Sequence, residues 1–246
     1  MARSSKVPRL GVPRNTADRP LTVVNVGNTH VRVVRFLAGA PADDRRVPTG
    51  EAADLTLGGP IALVAVVPAV ADALAARHAD VFRVTAATVA LAIDYDPPSG
   101  LGADRLANAL ALWRGYGAGI AIDCGTATTL TVVDALGVVR GGAILPGLAT
   151  ARDALWRGTA QLPSVPLEAV AEPIGRSTLA SLQIGLVHGH AGALLHLIAR
   201  MGGAEHLVVT GGWGGLMAGL LPGSVHAPDL TIAGARLAYL EACERA

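Results

Sequence analysis

Apolar runs in this chain are short, rich in β-branched residues and broken by small polar turns. Thr22-Val-Val-Asn-Val-Gly-Asn-Thr carries one run into such a turn and resumes as Val31-Arg-Val-Val; Ile120-Ala-Ile-Asp-Cys-Gly-Thr-Ala-Thr does the same and resumes as Leu130-Thr-Val-Val. Aligning Asn25 with Asp123, 98 residues further on, puts Gly27 on Gly125 and Asn28 on Thr126. Each copy predicts strand, tight turn, strand, and two copies at this spacing predict duplicated α/β domains whose hairpin turns face a shared cleft.

Between and after the copies, the pattern changes from period 2 to period 3.6. Ile61-Ala-Leu-Val-Ala-Val reads as a buried strand, Pro68 as a first helical residue, and Ala69 to His78 as the helix behind it. Val81-Phe-Arg-Val is a short strand, Asp96-Pro-Pro-Ser-Gly a loop, and Ala103 to Tyr116 a helix with its apolar stripe at Leu106, Leu110 and Trp113. In the second half, Gly141-Gly-Ala-Ile-Leu-Pro-Gly predicts an irregular bend, and Leu148 to Arg157 and Thr178 to Met201 predict helices. His206-Leu-Val-Val-Thr is a strand ended by Gly211-Gly212, and Gly234 to Glu244 a closing helix. This alternation, met twice, predicts a mixed-sheet α/β fold with domains at residues 21–116 and 117–246.

Composition narrows the function. The chain has 246 residues, of which 51% are hydrophobic, 16% charged and 3% aromatic, so its core must be built from Ala, Val, Leu and Gly. Lys6 is its single lysine. It lies in residues 1–20, where five basic side chains, one Asp and three prolines predict a disordered basic tail. A Walker lysine and a Schiff-base lysine are thereby excluded. Without the tail, the formal charge of +1 becomes −3, and with few aromatics to stack on bases the chain is not expected to bind nucleic acid. Gly59 to Ala71, broken by Pro68, is too short to span a bilayer, so no membrane helix is expected. Two cysteines, Cys124 and Cys243, and no leader pattern point to a cytoplasmic protein.

The turns carry candidate chemistry. Gly27-Asn28-Thr29 and Gly125-Thr126-Ala127-Thr128 combine close backbone approach with small donors, which suits a phosphate. Either alone is equally an ordinary hairpin turn. Thr210-Gly211-Gly212 offers room for a flat base. Asp104 and Arg105 share one helix start, where the cation opposes the helix dipole and suggests a ligand. Asp123 ends an apolar strand, where a carboxylate needs a cation or several donors. His188 and His190, two residues apart in a helical segment, do not share a face and read as helix residues rather than a metal pair. Trp113, Trp156 and Trp213 read as packing residues.

Taken in order, these motifs resemble the type III pantothenate kinases, members of the superfamily of acetate and sugar kinases, heat-shock chaperone ATPases and actin. The resemblance spans residues 21–242 and rests on Asn25-Val-Gly-Asn-Thr, Val66-Val-Pro, Tyr95 with Gly102-Ala-Asp-Arg105, Asp123-x-Gly-Thr-Ala-Thr, Gly141-Gly-Ala-Ile-x-Pro-Gly-Leu, Ile174-Gly-Arg-Ser-Thr178, Thr210-Gly-Gly and Pro228-Asp-Leu-Thr. It implies two duplicated ribonuclease-H-like, actin-like ATPase domains with mixed sheets around a central cleft. It further implies a cytoplasmic homodimer that phosphorylates pantothenate with ATP and magnesium, at the first step of coenzyme A synthesis. By position, Asn25, Val26, Gly27, Asn28, Thr29, His30, Val31 and Arg32 match the ATP-phosphate segment, and Thr126 a second nucleotide contact. Tyr95, Gly102, Ala103, Asp104, Arg105 and Thr178 match the pantothenate site, with Asp104 in the place of the general base. Asp123 matches the ligand of a monovalent cation, potassium or ammonium.

One position departs from the pattern. The family motif opens with Asp, which helps hold magnesium on the ATP phosphates, and this chain has Asn25. An amide keeps an oxygen donor but loses a full negative charge. Two readings follow: a working kinase with weakened magnesium support, or a catalytically impaired paralogue that binds nucleotide or pantothenate and acts in regulation.

Overall fold

The computed structural model describes residues 19–245; the basic tail expected from the sequence falls almost entirely outside them. The elements follow as β1 (Leu21–Val26), β2 (His30–Leu37), β3 (Ala40–Pro48), β4 (Ile61–Ala65), α1 (Pro68–Arg77), β5 (Val81–Arg83), β6 (Ala92–Ile93), α2 (Ala103–Gly115), β7 (Gly119–Cys124), β8 (Ala127–Val133) and β9 (Val138–Pro146). The remainder are α3 (Leu148–Gly158), α4 (Thr178–Gln183), a π turn at Ile184–His188, α5 (Gly189–Arg200), β10 (His206–Thr210), α6 (Gly214–Ala218), β11 (Ser224–His226) and α7 (Leu230–Arg245). They form two compact units. One holds the described residues through Gly117 with Val133–Gly141 and Asp229 onward, and the other holds Ala118–Val132 and Gly142–Pro228.

In the first unit the sheet order is β3-β2-β1-β4-β5. β1 pairs antiparallel with β2 and parallel with β4, and β4 parallel with β5. Val24, Val26, Val31, Val33, Ile61, Leu63 and Leu74 are buried together and make its core. Pro68 opens α1 as its spacing predicts. Helix α2 buries Leu106, Ala107, Leu110 and Ala111, and α7 buries Ala235, Leu237 and Ala238. The two helices approach closely because Gly234 has no side chain: a Cβ there would overlap the Ala107 carbonyl oxygen. Asn108 and Thr231 join them through a buried hydrogen bond in which Thr231 Oγ1 donates to Asn108 Oδ1 at 2.8 Å.

The second sheet has six strands, in the order β6-β9-β8-β7-β10-β11, and the five from β9 to β11 repeat the arrangement of the first. β10 is parallel to β7 and to β11, so β7 stands to β8 and β10 as β1 does to β2 and β4. The core of the second unit includes Ile120, Ile122, Leu130, Leu148, Val187, Leu194, Val209 and Met217. Thr178–Arg200, 23 residues, is long and apolar enough to cross a membrane by length and composition alone. Leu186, Val187, Ala191, Leu194 and Ile198 pack one face of it in this core, while Leu179 and Leu195 are exposed.

Three elements differ from the sequence reading. Gly141 to Pro146 is not an irregular bend but part of β9, because Gly142 lets the strand pass where a Cβ would overlap the Leu130 carbonyl oxygen. β3 carries no apolar alternation because it is an exposed edge strand, held by its ladder to β2. Helix α7 opens four residues earlier than Gly234, at Leu230. Trp113 packs against Gly137, whereas Trp156 is 49% exposed and does not act as a packing residue.

Candidate active site

Asn25 is half-buried between the fully buried Val24 and Val26 of β1, directly across from Arg32 on β2 and beside Val64 on β4. The turn between them is closed by the Gly27 N–H donating to the His30 carbonyl at 3.0 Å, and Asn28, Thr29 and His30 are exposed. Thr49 Oγ1 donates to the Gly27 carbonyl at 2.8 Å and braces the turn from behind. Arg32 is not left for a ligand alone. Its Nε and Nη2 donate to Asp44 at 3.0 and 2.6 Å, and Nη2 also to Asp229 Oδ1 at 2.6 Å. The Asp44 hydrogen bond, supported by Asp229, raises the guanidinium above its ordinary range, and Arg32 in turn holds the Asp44 carboxyl below the usual carboxylate range. The sequence reading missed both carboxylates: Asp44 sits in the unrecognised edge strand, and Asp229 was noted only within Pro228-Asp-Leu-Thr.

In the same unit, Gly102 precedes α2 and Asp104 lies in its first turn. Asp104 Oδ1 accepts from the Arg105 N–H at 2.8 Å, folding back to where a Gly102 Cβ would stand 2.6 Å away. Glycine at 102 is therefore what admits the carboxylate. The Arg105 guanidinium donates to the Gly100 carbonyl at 3.3 Å and lies over the Tyr95 ring, 5.5 Å from its centre. Gly141, at φ +93°, leaves room for that ring, since a Cβ would come within 3.1 Å of Tyr95 Cδ2. Tyr95 and Arg105, 10 residues apart in sequence, thus form one surface beside Asp104.

A cavity of about 720 Å³ adjoins this helix start, lined by Ala65, Val84, Thr85, Ser99, Gly102 and Ala103 among others. Ala65 is the register partner of Val26, and the Val66 N–H donates to the Val26 carbonyl at 3.0 Å. The cavity is thereby lined both by the end of β4, the strand paired with β1, and by Gly102–Ala103 at the start of α2.

In the other unit, Asp123 is the last residue but one of β7 and the register partner of Thr210. Gly211, at φ +89°, is required beside it, since a Cβ would lie 2.5 Å from Asp123 Oδ1. The Gly125–Thr128 turn is closed by the Gly125 N–H donating to the Ala127 carbonyl at 3.0 Å, as its counterpart is at Gly27. The Thr126 carbonyl accepts from the Gly147 N–H at 3.1 Å and from Thr150 Oγ1 at 2.6 Å, which leaves the Thr126 side chain exposed. Thr178 is exposed at the start of α4, where Ser177 accepts from the Ala180 N–H at 3.2 Å. Glu172, Ile174, Arg176 and Ser177 line a second cavity of about 480 Å³ there. His188 Nε2 lies 2.8 Å from the Val170 carbonyl and His190 Nε2 3.0 Å from Thr128 Oγ1.

A twice-repeated sheet of order 3-2-1-4-5, with a glycine turn between the first two strands of each copy, defines an actin-like ATPase and sugar-kinase fold. Solved structures agree on the fold: a Campylobacter jejuni protein of the Baf family of transcriptional activators (TM-score 0.69, 18% identity, 91% of this chain and 99% of that one), and a Listeria monocytogenes protein assigned as an N-acetylmannosamine kinase (0.51, 12%, 93% and 100%). Within that class, the family model for type III pantothenate kinase matches residues 21–200, and the chain belongs to this family. It is 37% identical to the type III pantothenate kinase of Thermomicrobium roseum over 250 aligned positions, covering 89% of this chain and 96% of that one. With the relative from Rubrobacter xylanophilus it shares 45% over 168 positions, 62% of each chain.

Proposed function

We propose that this chain transfers the γ-phosphoryl group of ATP to the primary hydroxyl of pantothenate, giving 4'-phosphopantothenate and ADP, the first step of coenzyme A biosynthesis. The observation that carries this reading is the cavity shared by Ala65, behind the first glycine turn, and by Gly102–Ala103, beside Asp104. The substrate hydroxyl oxygen attacks the γ-phosphorus, the bond to the β,γ-bridging oxygen breaks, and the hydroxyl proton passes to Asp104. Arg105 and Tyr95 hold the pantothenate carboxylate and chain, with Gly102, Ala103 and Thr178 as further contacts. Asn25 through Arg32 and Thr126 hold the nucleotide. Such transfer depends chiefly on positioning and charge neutralisation. A coupled assay of ATP consumption with and without pantothenate tests the reading. We also assign the working enzyme to the cytoplasm as a homodimer, which the exposed Ile144, Leu155, Trp156 and Ile174 support.

Magnesium accompanies ATP in this reading and neutralises phosphate charge. The Asn25 carboxamide oxygen, at the strand end beside the turn, is a hard donor that fits such an ion without matching a carboxylate. Because Asp44 and Asp229 already hold Arg32, a carboxylate at position 25 would be left to the metal. Asn25→Asp should therefore lower the magnesium needed for half-maximal rate. If the added charge contributes about 1.4 kcal/mol, turnover rises about tenfold. No change in either quantity would assign the metal to other groups. A wild type without pantothenate-dependent ATP consumption, beside an active Asn25→Asp variant, would instead support the impaired, regulatory paralogue.

We assign a monovalent cation to Asp123, supported by its place as a half-buried carboxylate in the otherwise apolar strand β7. Turnover should be higher in potassium or ammonium than in sodium at equal ionic strength. Equal turnover in all three would remove the cation from the reading.

A further inference from the structure

We propose that His190 positions the second nucleotide turn, acting through Thr128. The proposal rests on the kinase reading, in which Gly125–Thr128 is that turn, and it names a residue to which neither the family motifs nor the sequence reading gives a role.

Thr128 is fully buried at the foot of the turn, and a buried hydroxyl needs partners. His190 supplies one: its Nε2 lies 3.0 Å from Thr128 Oγ1. Burial holds the His190 imidazole below its ordinary range, so it is neutral. Imidazole and hydroxyl then share one hydrogen bond, in whichever direction the imidazole tautomer sets. This bond ties one foot of the turn to α5, while Gly147 and Thr150 hold its tip from another direction.

Two features argue that the histidine is there for this contact. An aliphatic side chain would pack on α5 beside the core without the desolvation that an imidazole suffers. In addition, the π turn at Ile184–His188 comes immediately before α5, and an extra residue in a helical turn rotates all that follows. That rotation sets which face of α5 meets β8, and it carries His188 to the Val170 carbonyl and His190 to Thr128.

The test is a double-mutant cycle on the full chain, with His190→Leu, Thr128→Val and both, plus His190→Gln, whose amide reaches the same place as Nε2. Steady-state kinetics with each substrate varied should show a several-fold rise in KM for ATP in His190→Leu and Thr128→Val, with KM for pantothenate little changed. The double variant should be no worse than either single one, and His190→Gln should recover most of the loss. ADP binding, measured by titration on the same proteins, should weaken in parallel whether or not pantothenate is phosphorylated. This separates failure of the proposal from failure of the kinase reading. Unchanged ADP affinity, additive effects, or a Gln variant as poor as Leu would each overturn the role. Should His190→Leu fail to fold, Thr128→Val and His190→Gln carry the same test.

Discussion

Asp104→Asn is expected to lower kcat by about a hundred- to ten-thousand-fold, the usual contribution of a positioned general base, while leaving ATP affinity nearly intact. One carboxylate oxygen already accepts from the Arg105 N–H, and an amide oxygen preserves that bond and the shape of the helix start. What the amide cannot do is take a proton. The loss should therefore fall on the chemical step, with pantothenate still held by the Tyr95–Arg105 surface. Single-turnover measurements separate this outcome from a binding defect. Turnover at the wild-type rate would remove Asp104 from the mechanism.

The second large effect is expected in stability. Gly234→Ala puts a methyl group onto the Ala107 carbonyl oxygen, and since the overlap is with backbone, no rotamer change relieves it. Helices α2 and α7 must separate, loosening Leu110, Leu237 and the Asn108–Thr231 bond together. Overpacking of this kind costs about 1–3 kcal/mol, which lowers Tm by roughly 3–10 °C in a chain of this size. Gly192→Ala is the control: it lies in α5 with nothing within 4 Å of the added Cβ, so helix propensity alone should raise stability slightly. A Gly234→Ala melting temperature equal to that of wild type would mean that the two helices have slack.

Both hairpins were legible because their signals are local: a β-branched run, a glycine turn and a resumed run. The helices Ala69–His78 and Ala103–Tyr116 were legible from their apolar spacing and from Pro68. β3 was not, since Ala-Pro-Ala-Asp-Asp-Arg-Arg-Val-Pro has no buried face and owes its conformation to a ladder with β2. The strand from Gly141 was hidden for a related reason: two glycines read as punctuation unless the close passage over Leu130 is known. At the candidate site, Asp104 and Arg105 stood out as neighbours at one helix start. Their contact with Tyr95, and the grip of Asp44 and Asp229 on Arg32, arise from tertiary approach and leave no periodic trace. His188 and His190 stand in the helical segment as their reading from the sequence has it, while the contact of His190 with Thr128 is again a tertiary approach.

Helix α7 belongs to the same unit as β1, although every strand of both sheets precedes it in the chain. The unit that holds β1 therefore remains incomplete until α7 has been made, with the α2 surface around Ala107 uncovered, while the unit built from Ala118–Val132 and Gly142–Pro228 already has all its strands. Damage to α7, whether by proteolytic trimming, a frameshift or a bulky insertion, would thus be felt first around α2 and β1, far away in sequence.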